Sequence, residues 1–126
     1  MTRYTAATRF DHAVPSRTAV LLLQLGTPDE PTPAALRRYL REFLSDPRVV
    51  EIPRVAWLPI LHGIILRTRP SKSARKYASV WTDEGSPLMV HTRRQATLLR
   101  GALGARGHDV EVAFAMRYGN PSIAAV

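Results

Sequence analysis

The amino-acid sequence predicts an α/β fold in which parallel strands are joined by crossover helices. Two short apolar runs, at residues 19–25 and 110–116, have the composition of strands buried on both faces of a sheet. Between them lie three stretches in which apolar residues recur at helical spacing. This order implies parallel pairing, so both carboxyl ends should meet at one edge of the sheet, where such folds bind ligands.

The first helix has clear signals at both of its ends. Thr32 is predicted to cap it, since its hydroxyl can accept a hydrogen bond from a free backbone N–H, and Pro33 suits the first helical position. Asp46-Pro47 is predicted to end it. The apolar positions between these signals form one face of a helix: Leu36, Tyr39, Leu40, Phe43 and Leu44.

Two further helices are predicted on either side of a Gly-Ser-Pro turn at residues 85–87. The one before the turn should run to about Trp81, and two serines are candidates to cap its start: Ser71 and Ser73. The one after the turn should span residues 88–106, and two glycines are candidates to end it: Gly104 and Gly107.

Residues 77–92 indicate one side of a pocket for a flat organic molecule. Tyr77 and Trp81 are four residues apart, so their rings should lie on the same face of a helix. The following turn then places the small hydroxyl of Ser86 at the rim of this aromatic wall. Packing of Tyr77 in the core is the alternative.

Residues 49–66 are rich in aliphatic side chains but are interrupted by Pro53, Pro59 and Gly63. The stretch is too short and too broken to cross a bilayer. It predicts either a helix in the core, which periodicity favours, or an exposed hydrophobic lip that rests on a ligand or a membrane.

Basic residues dominate the charge of the chain. The net charge is +8, and five basic residues fall within residues 67–76 without one acid among them: Arg67, Arg69, Lys72, Arg75 and Lys76. Such a block suits an acidic partner, namely nucleic acid, anionic lipid or a carboxylated small molecule. A solvated helix face is an equally weighted alternative.

The composition and the two ends of the chain give further expectations. No cysteine is present, which excludes disulfides and thiolate-bound metal. Residues 1–17 lack the apolar core of a secretory signal and are expected to form a loose tail, so we expect a cytoplasmic protein.

Asn120 and Pro121 predict the start of another crossover helix, and two strands make a poor parallel sheet. We therefore expect an incomplete domain, the front portion of a larger protein.

Four motifs in order resemble those of the ferrochelatases, which insert ferrous iron into protoporphyrin IX in the last step of protohaem synthesis. They are Leu-Gln-Leu-Gly-Thr-Pro (23–28), Phe-Leu-Ser-Asp (43–46), Tyr-Ala-Ser-Val-Trp with Gly-Ser-Pro-Leu (77–88) and Met-Arg-Tyr with a later Pro (116–121). The bacterial branch is the more similar. The resemblance implies that residues 18–126 form the N-terminal part of the first of two Rossmann-like (chelatase-like) halves that enclose a porphyrin cleft.

The resemblance also implies that these residues contact the porphyrin: Leu25, Arg69, Tyr77, Ser86, Arg117 and Tyr118. Lys72 is added to this set because a cation at that position can meet a propionate. It implies that residues 49–66 form the hydrophobic lip of the cleft, with these side chains: Trp57, Leu58, Leu61, Ile64 and Ile65. Arg69 and Lys72 would meet the two propionates, generic surface charge being the alternative. Ser86 could donate to a carboxylate or only complete its turn, and Arg117 with Tyr118 could touch the ligand or only position the pocket floor.

No catalytic or metal-binding residue is expected in this chain, because the family's metal-handling histidine and its acidic partner belong to later segments. His62-Gly63 imitates the family's His-Gly-x-Pro motif, but Ile65 stands where the proline should be. No cofactor is expected to be bound permanently, and ferrous iron is a substrate of the full-length enzyme.

The expected partners are protoporphyrin IX, the remaining half of the same protein and, peripherally, a membrane. Nucleic acid is not expected, since the aromatic residues do not form a stacking platform on a sheet. The alternative function is a non-enzymatic basic module that binds nucleic acid or an anionic membrane surface.

Overall fold

The computed structural model describes residues 11–126, which contain two strands and four α-helices. Strand β1 spans Ala19–Thr27 and strand β2 spans Glu111–Gly119. The helices, in chain order, are α1 (Pro33–Leu44), α2 (Arg54–Ile60), α3 (Leu66–Val80) and α4 (Pro87–Ala105). A π-helical turn, Leu61–Ile65, joins α2 to α3. Of the predicted tail, residues 1–10 lie outside the described residues, and residues 11–17 contain no helix or strand.

The two strands pair in parallel, as predicted, in a register that runs from Ala19 opposite Glu111 to Thr27 opposite Gly119. Their carboxyl ends therefore share one edge of the sheet. Both strands extend beyond the apolar runs that predicted them, because glycine allows the two backbones to approach closely there. A Cβ atom on Gly26 would lie 2.0 Å from the carbonyl oxygen of Tyr118.

One face of β1 is exposed, so the prediction that this strand is buried on both faces is wrong for the described residues. Leu21, Leu23 and Leu25 are 43%, 57% and 57% exposed. The alternate residues, Val20 and Leu22, are half-buried. Successive side chains of a strand point to opposite faces, and a sheet of two strands offers little cover to the outer one.

Helix α1 begins and ends as the sequence predicts. The Thr32 hydroxyl accepts a hydrogen bond from the N–H of Ala35 at 3.3 Å, and Pro33 is the first helical residue. The buried face of α1 consists of Ala35, Leu36, Tyr39 and Leu40. Tyr39 and Leu40 join a core cluster with three residues from later elements: Leu61, Leu66 and Tyr118.

Helix α3 begins at Leu66, upstream of both predicted caps, Ser71 and Ser73, so that prediction is wrong. The chain is helical from α2 through the π-helical turn into α3 even though Pro70 lies inside α3. Proline has no N–H to donate to the carbonyl of Leu66 four residues earlier. The Nε–H of Arg37 donates to that oxygen instead, at 3.1 Å, so the carbonyl is satisfied from another helix.

Residues 49–66 are divided between the core and the surface, so each of the two sequence interpretations describes part of the segment. Leu61 is fully buried, and three side chains are half-buried against the core cluster: Trp57, Leu58 and Ile65. The Trp57 indole N–H also donates to the carbonyl of Leu44 at 2.7 Å. Other side chains of the segment are exposed, namely Val55, which is 90% accessible, Ile60 and Ile64.

Helix α4 matches its predicted span. Ser86 caps its start by accepting a hydrogen bond from the N–H of Met89 at 3.2 Å. At its end, Gly107 has a φ of +78° and the next residue, His108, donates to the carbonyl of Leu103, as in a glycine-terminated helix. Gly107 is therefore the C-terminal glycine, whereas Gly104 lies inside the helix.

The helix predicted to start at Asn120 does not form, and residues 120–126 form turns. The side-chain amide of Asn120 donates to both carboxylate oxygens of Asp29, at 3.2 Å each, instead of capping a helix. The N–H of Met116 donates to the carbonyl of Pro121 at 2.7 Å, which folds this segment back onto β2. None of the helices in residues 11–126 is long and apolar enough to cross a membrane.

We predict that Gly26→Ala lowers the free energy of unfolding by about 3 kcal/mol or more, because the new methyl group would collide with the backbone of β2 and the φ of +133° is strained for alanine. The control is Gly101→Ala, since no atom lies within 4 Å of the added Cβ atom. It should stabilise α4 by about 0.5–1 kcal/mol. Urea unfolding followed by circular dichroism measures both, and an unchanged midpoint for Gly26→Ala would refute the close approach.

Candidate functional site

A cavity of about 700 Å³ opens at the carboxyl ends of the two strands, beside α1. We call it the polar cavity, because most of the residues that line it have charged or hydrogen-bonding side chains. The strand ends contribute Thr27, Arg117, Tyr118 and Gly119, α1 contributes Arg38, Tyr39, Arg41 and Glu42, and the connecting loops contribute Asp29, Asp46, Arg48 and Asn120.

The carboxylate of Asp46 organises the floor of the polar cavity. One of its oxygens accepts hydrogen bonds from the Arg117 guanidinium and the Tyr118 hydroxyl, at 2.7 Å each. The other accepts the backbone N–H of Arg48 at 2.9 Å. The Arg48 N–H, then the Tyr118 hydroxyl and the Arg117 charge, lower the pKa of Asp46 below its ordinary value of 3.8. The carboxylate, whose side chain is 9% exposed, is therefore ionised and fully engaged.

Tyr118 is held from three directions. Its ring packs edge-to-face on Phe43, with centroids 5.0 Å apart, and the Arg117 guanidinium carbon lies 4.8 Å from its centroid. Burial, and then the hydrogen bond to Asp46, raise the pKa of Tyr118. Because the Tyr118 hydroxyl and one Arg117 nitrogen both donate to the same carboxylate, this geometry supports a positioning role for the two residues at the floor of the cavity.

Tyr39 links α1 to the end of β1. Its hydroxyl donates to the carbonyl of Gly26 at 3.1 Å, and its ring stacks on Phe43 with centroids 6.0 Å apart. Burial, with smaller contributions from Tyr77, Glu42 and Tyr118, raises the pKa of Tyr39 to about 12. The phenol is therefore neutral and donates a fixed hydrogen bond at physiological pH.

Ser86 lies inside the structure rather than at its surface, with an exposure of 2%. The Thr27 hydroxyl donates to its Oγ at 2.8 Å, in addition to the capping bond from Met89. The hydroxyl thus fastens the start of α4 to the carboxyl end of β1. In this arrangement it completes its turn, which is one of the two roles that the sequence left open.

Arg69 and Lys72 line a groove of about 330 Å³ on α3, which we call the α3 groove. Ile65 and Thr68 complete its lining. Both cations are exposed, and neither pairs with a carboxylate among residues 11–126. Two free cations beside an aliphatic wall can bind a carboxylate attached to an apolar molecule.

Tyr77 and Trp81 are neighbours, as predicted, with ring centroids 6.4 Å apart at an angle of 69°. Trp81 is the residue that follows α3 and has extended backbone angles, so the pair meets edge-to-face. Tyr77 is half-buried, and burial raises its pKa. The two rings form a partly accessible aromatic wall at the end of α3.

The porphyrin-contact residues implied by the resemblance do not line one common cavity. Arg117 and Tyr118 border the polar cavity, and Arg69 and Lys72 border the α3 groove. Leu25 is exposed on the uncovered face of β1. Of the lip side chains, Ile64 is the exposed one, while the others are buried or half-buried: Trp57, Leu58, Leu61 and Ile65.

Sequence reasoning missed the residues that connect the elements of the site. The sequence pattern around Asp46 predicts only the end of α1. The available signal of its further role is the Phe-Leu-Ser-Asp motif, to which Asp46 belongs. Tyr39 was interpreted as part of the apolar face of α1. Thr27 belongs to the Leu-Gln-Leu-Gly-Thr-Pro motif, but its hydrogen bond to Ser86 has no local signal. Nothing local indicates the role of Glu42, whose carboxylate accepts the N–H of Gly119 at 3.1 Å. Among residues 11–126, no three His, Asp or Glu side chains lie close enough together to hold a metal ion.

We predict that Asp46→Asn lowers the stability of the chain at neutral pH and has little effect in acid. A carboxylate whose folded pKa is lowered stabilises the fold above the ordinary pKa of 3.8, and this contribution is lost as the pH falls through the lowered value. Urea unfolding midpoints of both chains, measured from pH 7 to below pH 3.8, check this.

The matched control is Asp83→Asn, which removes an exposed carboxylate that makes no hydrogen bond or ion pair with the described residues. Its midpoint should follow that of the unchanged chain at every pH. An Asp46→Asn deficit that persists unchanged in acid would contradict the proposed role of the carboxylate.

Comparison with known proteins supports one family. A family model described as ferrochelatase matches residues 17–126. A ferrochelatase of a Polaromonas species is 71% identical over 119 residues, which cover 91% of this chain and 32% of that protein. That of Methylibium petroleiphilum is 69% identical, covering 90% of this chain and 31% of the relative. That of Chromobacterium violaceum is 61% identical, covering 100% of this chain and 35% of the relative.

The chain spans about a third of the length of the curated relatives that it matches. No solved structure matches it. The α/β arrangement, with parallel strands whose carboxyl ends meet at one edge, agrees with a partial chelatase-like Rossmann-type domain. Since the family model covers all but the first residues of the sequence, the chain belongs to the ferrochelatase family.

Proposed function

We propose that this chain is part of an enzyme that inserts ferrous iron into protoporphyrin IX, and that it supplies part of the wall that binds the porphyrin. The observation that carries the proposal is the match to the ferrochelatase family over residues 17–126. The local geometry agrees with it, since exposed cations and partly accessible apolar side chains occur together on α3.

The α3 groove is the proposed site for a propionate. A porphyrin is flat and apolar with two carboxylates on one side, so its site needs an apolar wall and a few cations. Arg69 and Lys72 are unpaired and lie beside Ile65. A charge-assisted hydrogen bond contributes roughly 1.5–3 kcal/mol when shielded from water and less when exposed. A bound macrocycle would itself provide that shielding.

The proposed apolar wall consists of Tyr77 and Trp81 at the end of α3, with Leu25 and the exposed Ile64 as further contacts. We assign Ser86, Arg117 and Tyr118 a supporting role, because the Ser86 hydroxyl accepts hydrogen bonds from Thr27 and Met89, and because Arg117 and Tyr118 both donate to Asp46. These residues hold the strand ends and the start of α4 in place.

Iron insertion also requires a base that removes the two pyrrole protons and ligands that deliver the metal. The family resemblance assigns those groups to segments beyond the region that this chain spans. We therefore propose that the chain binds and orients the macrocycle, while proton removal and metal delivery belong to the rest of the enzyme. Ferrous iron is a substrate in this scheme, and no resident cofactor is proposed.

The proposed activity can be tested in a chimera in which this chain replaces the matching 119 residues of the Polaromonas relative. We expect the chimera to insert ferrous iron into protoporphyrin. Arg69→Gln should raise the KM for protoporphyrin about tenfold, because one propionate loses its partner. Arg75→Gln, an exposed cation on the same helix, is the control and should leave the KM unchanged.

The 126-residue chain alone should show no iron insertion. An inactive chimera that is folded by circular dichroism, assayed beside an active Polaromonas enzyme, would refute the proposed activity. An equal rise in KM for Arg69→Gln and Arg75→Gln would leave the activity but refute the α3 groove as the propionate site.

We also propose a cytoplasmic protein with peripheral contact to a membrane. The support is a set of exposed aliphatic side chains, Val55, Ile60 and Ile64, which precede the basic residues of α3 in the chain. Aliphatic side chains next to cations favour the interface of an anionic bilayer.

Flotation with vesicles that contain phosphatidylglycerol tests this contact. Val55→Glu should reduce the bound fraction at least about fivefold, since it removes an aliphatic contact and adds a repelled charge. Gln95→Glu on α4 is the charge-matched control and should retain binding. Trp57 is unsuitable for this test because its indole N–H supports the core. Equal flotation of all three proteins would exclude the membrane contact.

A further inference from the structure

A third concavity, of about 310 Å³, lies between α1, the π-helical turn and the first turn of α3. Its lining consists of Arg37, Arg41, His62, Leu66 and Arg67. We call it the basic groove, because its polar lining is made of basic side chains with no acid among them. It is separate from the α3 groove, and only Arg41 also borders the polar cavity.

The positive charge of the basic groove is not neutralised by the described chain. The ion pairs within residues 11–126 are Arg17 with Glu111 and Arg117 with Asp46, so no carboxylate there pairs with a groove arginine. Guanidinium groups remain charged at all physiological pH values. Like charges around a concavity produce a positive potential that attracts an anion.

One donor of the groove is already fixed in place. The Nε–H of Arg37 is committed to the carbonyl of Leu66, the oxygen that Pro70 leaves without its helical partner. This bond restrains the guanidinium and leaves the N–H groups of its two terminal nitrogens for another acceptor. A restrained planar fork loses less conformational entropy when it binds an anion than a free side chain does.

We propose that the basic groove binds a phosphate group. Arginine forks match pairs of phosphate oxygens, and three such side chains with an imidazole surround a space suited to one small anion. No aromatic ring lines the groove, so its chemistry recognises the charged group and not a flat ring attached to it. The phosphate can belong to a soluble metabolite or to the headgroup of an anionic lipid. This site is independent of the proposed porphyrin-binding wall.

The first test is calorimetric titration of inorganic phosphate into the 126-residue chain. Arg41→Gln combined with Arg67→Gln should weaken binding about tenfold or more, because two charge-assisted contacts are lost. Arg93→Gln combined with Arg94→Gln removes the same charge from exposed positions on α4 and should change the dissociation constant less than about twofold. Circular dichroism establishes that each variant is folded.

Absence of saturable phosphate binding, or equal weakening in the two double variants, would overturn the proposal, since either result means that only the overall charge matters. As an independent readout, phosphate should shift the nuclear magnetic resonance signals of the His62 ring. A shift confined to other regions would equally overturn it.

The second test identifies the source of the phosphate with vesicles of phosphatidylcholine, with and without phosphatidylglycerol. If vesicle binding needs the anionic lipid, is lost in the groove variant and is displaced by inorganic phosphate, the site binds a headgroup. If the groove variant loses only phosphate binding, the site binds a soluble phosphate. Either result supports a phosphate site, and the two results distinguish a lipid headgroup from a soluble phosphate as its ligand.

Discussion

The backbones of β1 and β2 are in close contact at their carboxyl ends, and the candidate site depends on that contact. Gly26 leaves no room for a side chain in front of the Tyr118 carbonyl, so the two strands end together. Once they end together, Thr27 reaches Ser86 at the start of α4, and the Tyr39 hydroxyl reaches the end of β1 from α1. Two helices are thus tied to a single pair of strand ends.

The loop after α1 is fixed to the same edge by a single carboxylate. Asp46 accepts hydrogen bonds from both Arg117 and Tyr118, so the end of a helix and the end of a strand share one ionised group. Fixed polar contacts of this kind reduce the reorganisation that binding would otherwise require. The exposed cations of α3, by contrast, are free to adapt to a ligand. The proposed porphyrin wall therefore combines a rigid polar floor with a basic helix whose side chains can adapt to a ligand.

The sequence predicted those parts of the fold and site whose signals are local. Thr32 is predicted as a cap because a helix cap needs only residues three positions apart, and the Gly-Ser-Pro turn predicts where α4 begins. The start of α3 was missed, because the carbonyl freed by Pro70 is satisfied by a distant arginine. The role of Asp46 was missed for the same reason, since its partner Arg117 lies 71 residues along the chain. Contacts between residues so far apart in the chain depend on how the elements are arranged in space. The sequence predicted only that the two strand ends share an edge of the sheet.

The uncovered face of β1 has a consequence for the behaviour of the chain in solution. Leu21, Leu23 and Leu25 form an aliphatic row on a strand whose outer edge has no partner among residues 11–126. Such a row, beside unpaired backbone groups, is a template on which strands of other molecules can add. The net charge of +8 opposes this addition, because two copies repel each other as they approach. Salt screens that repulsion, so the tendency of the chain to associate depends on ionic strength as well as on its fold.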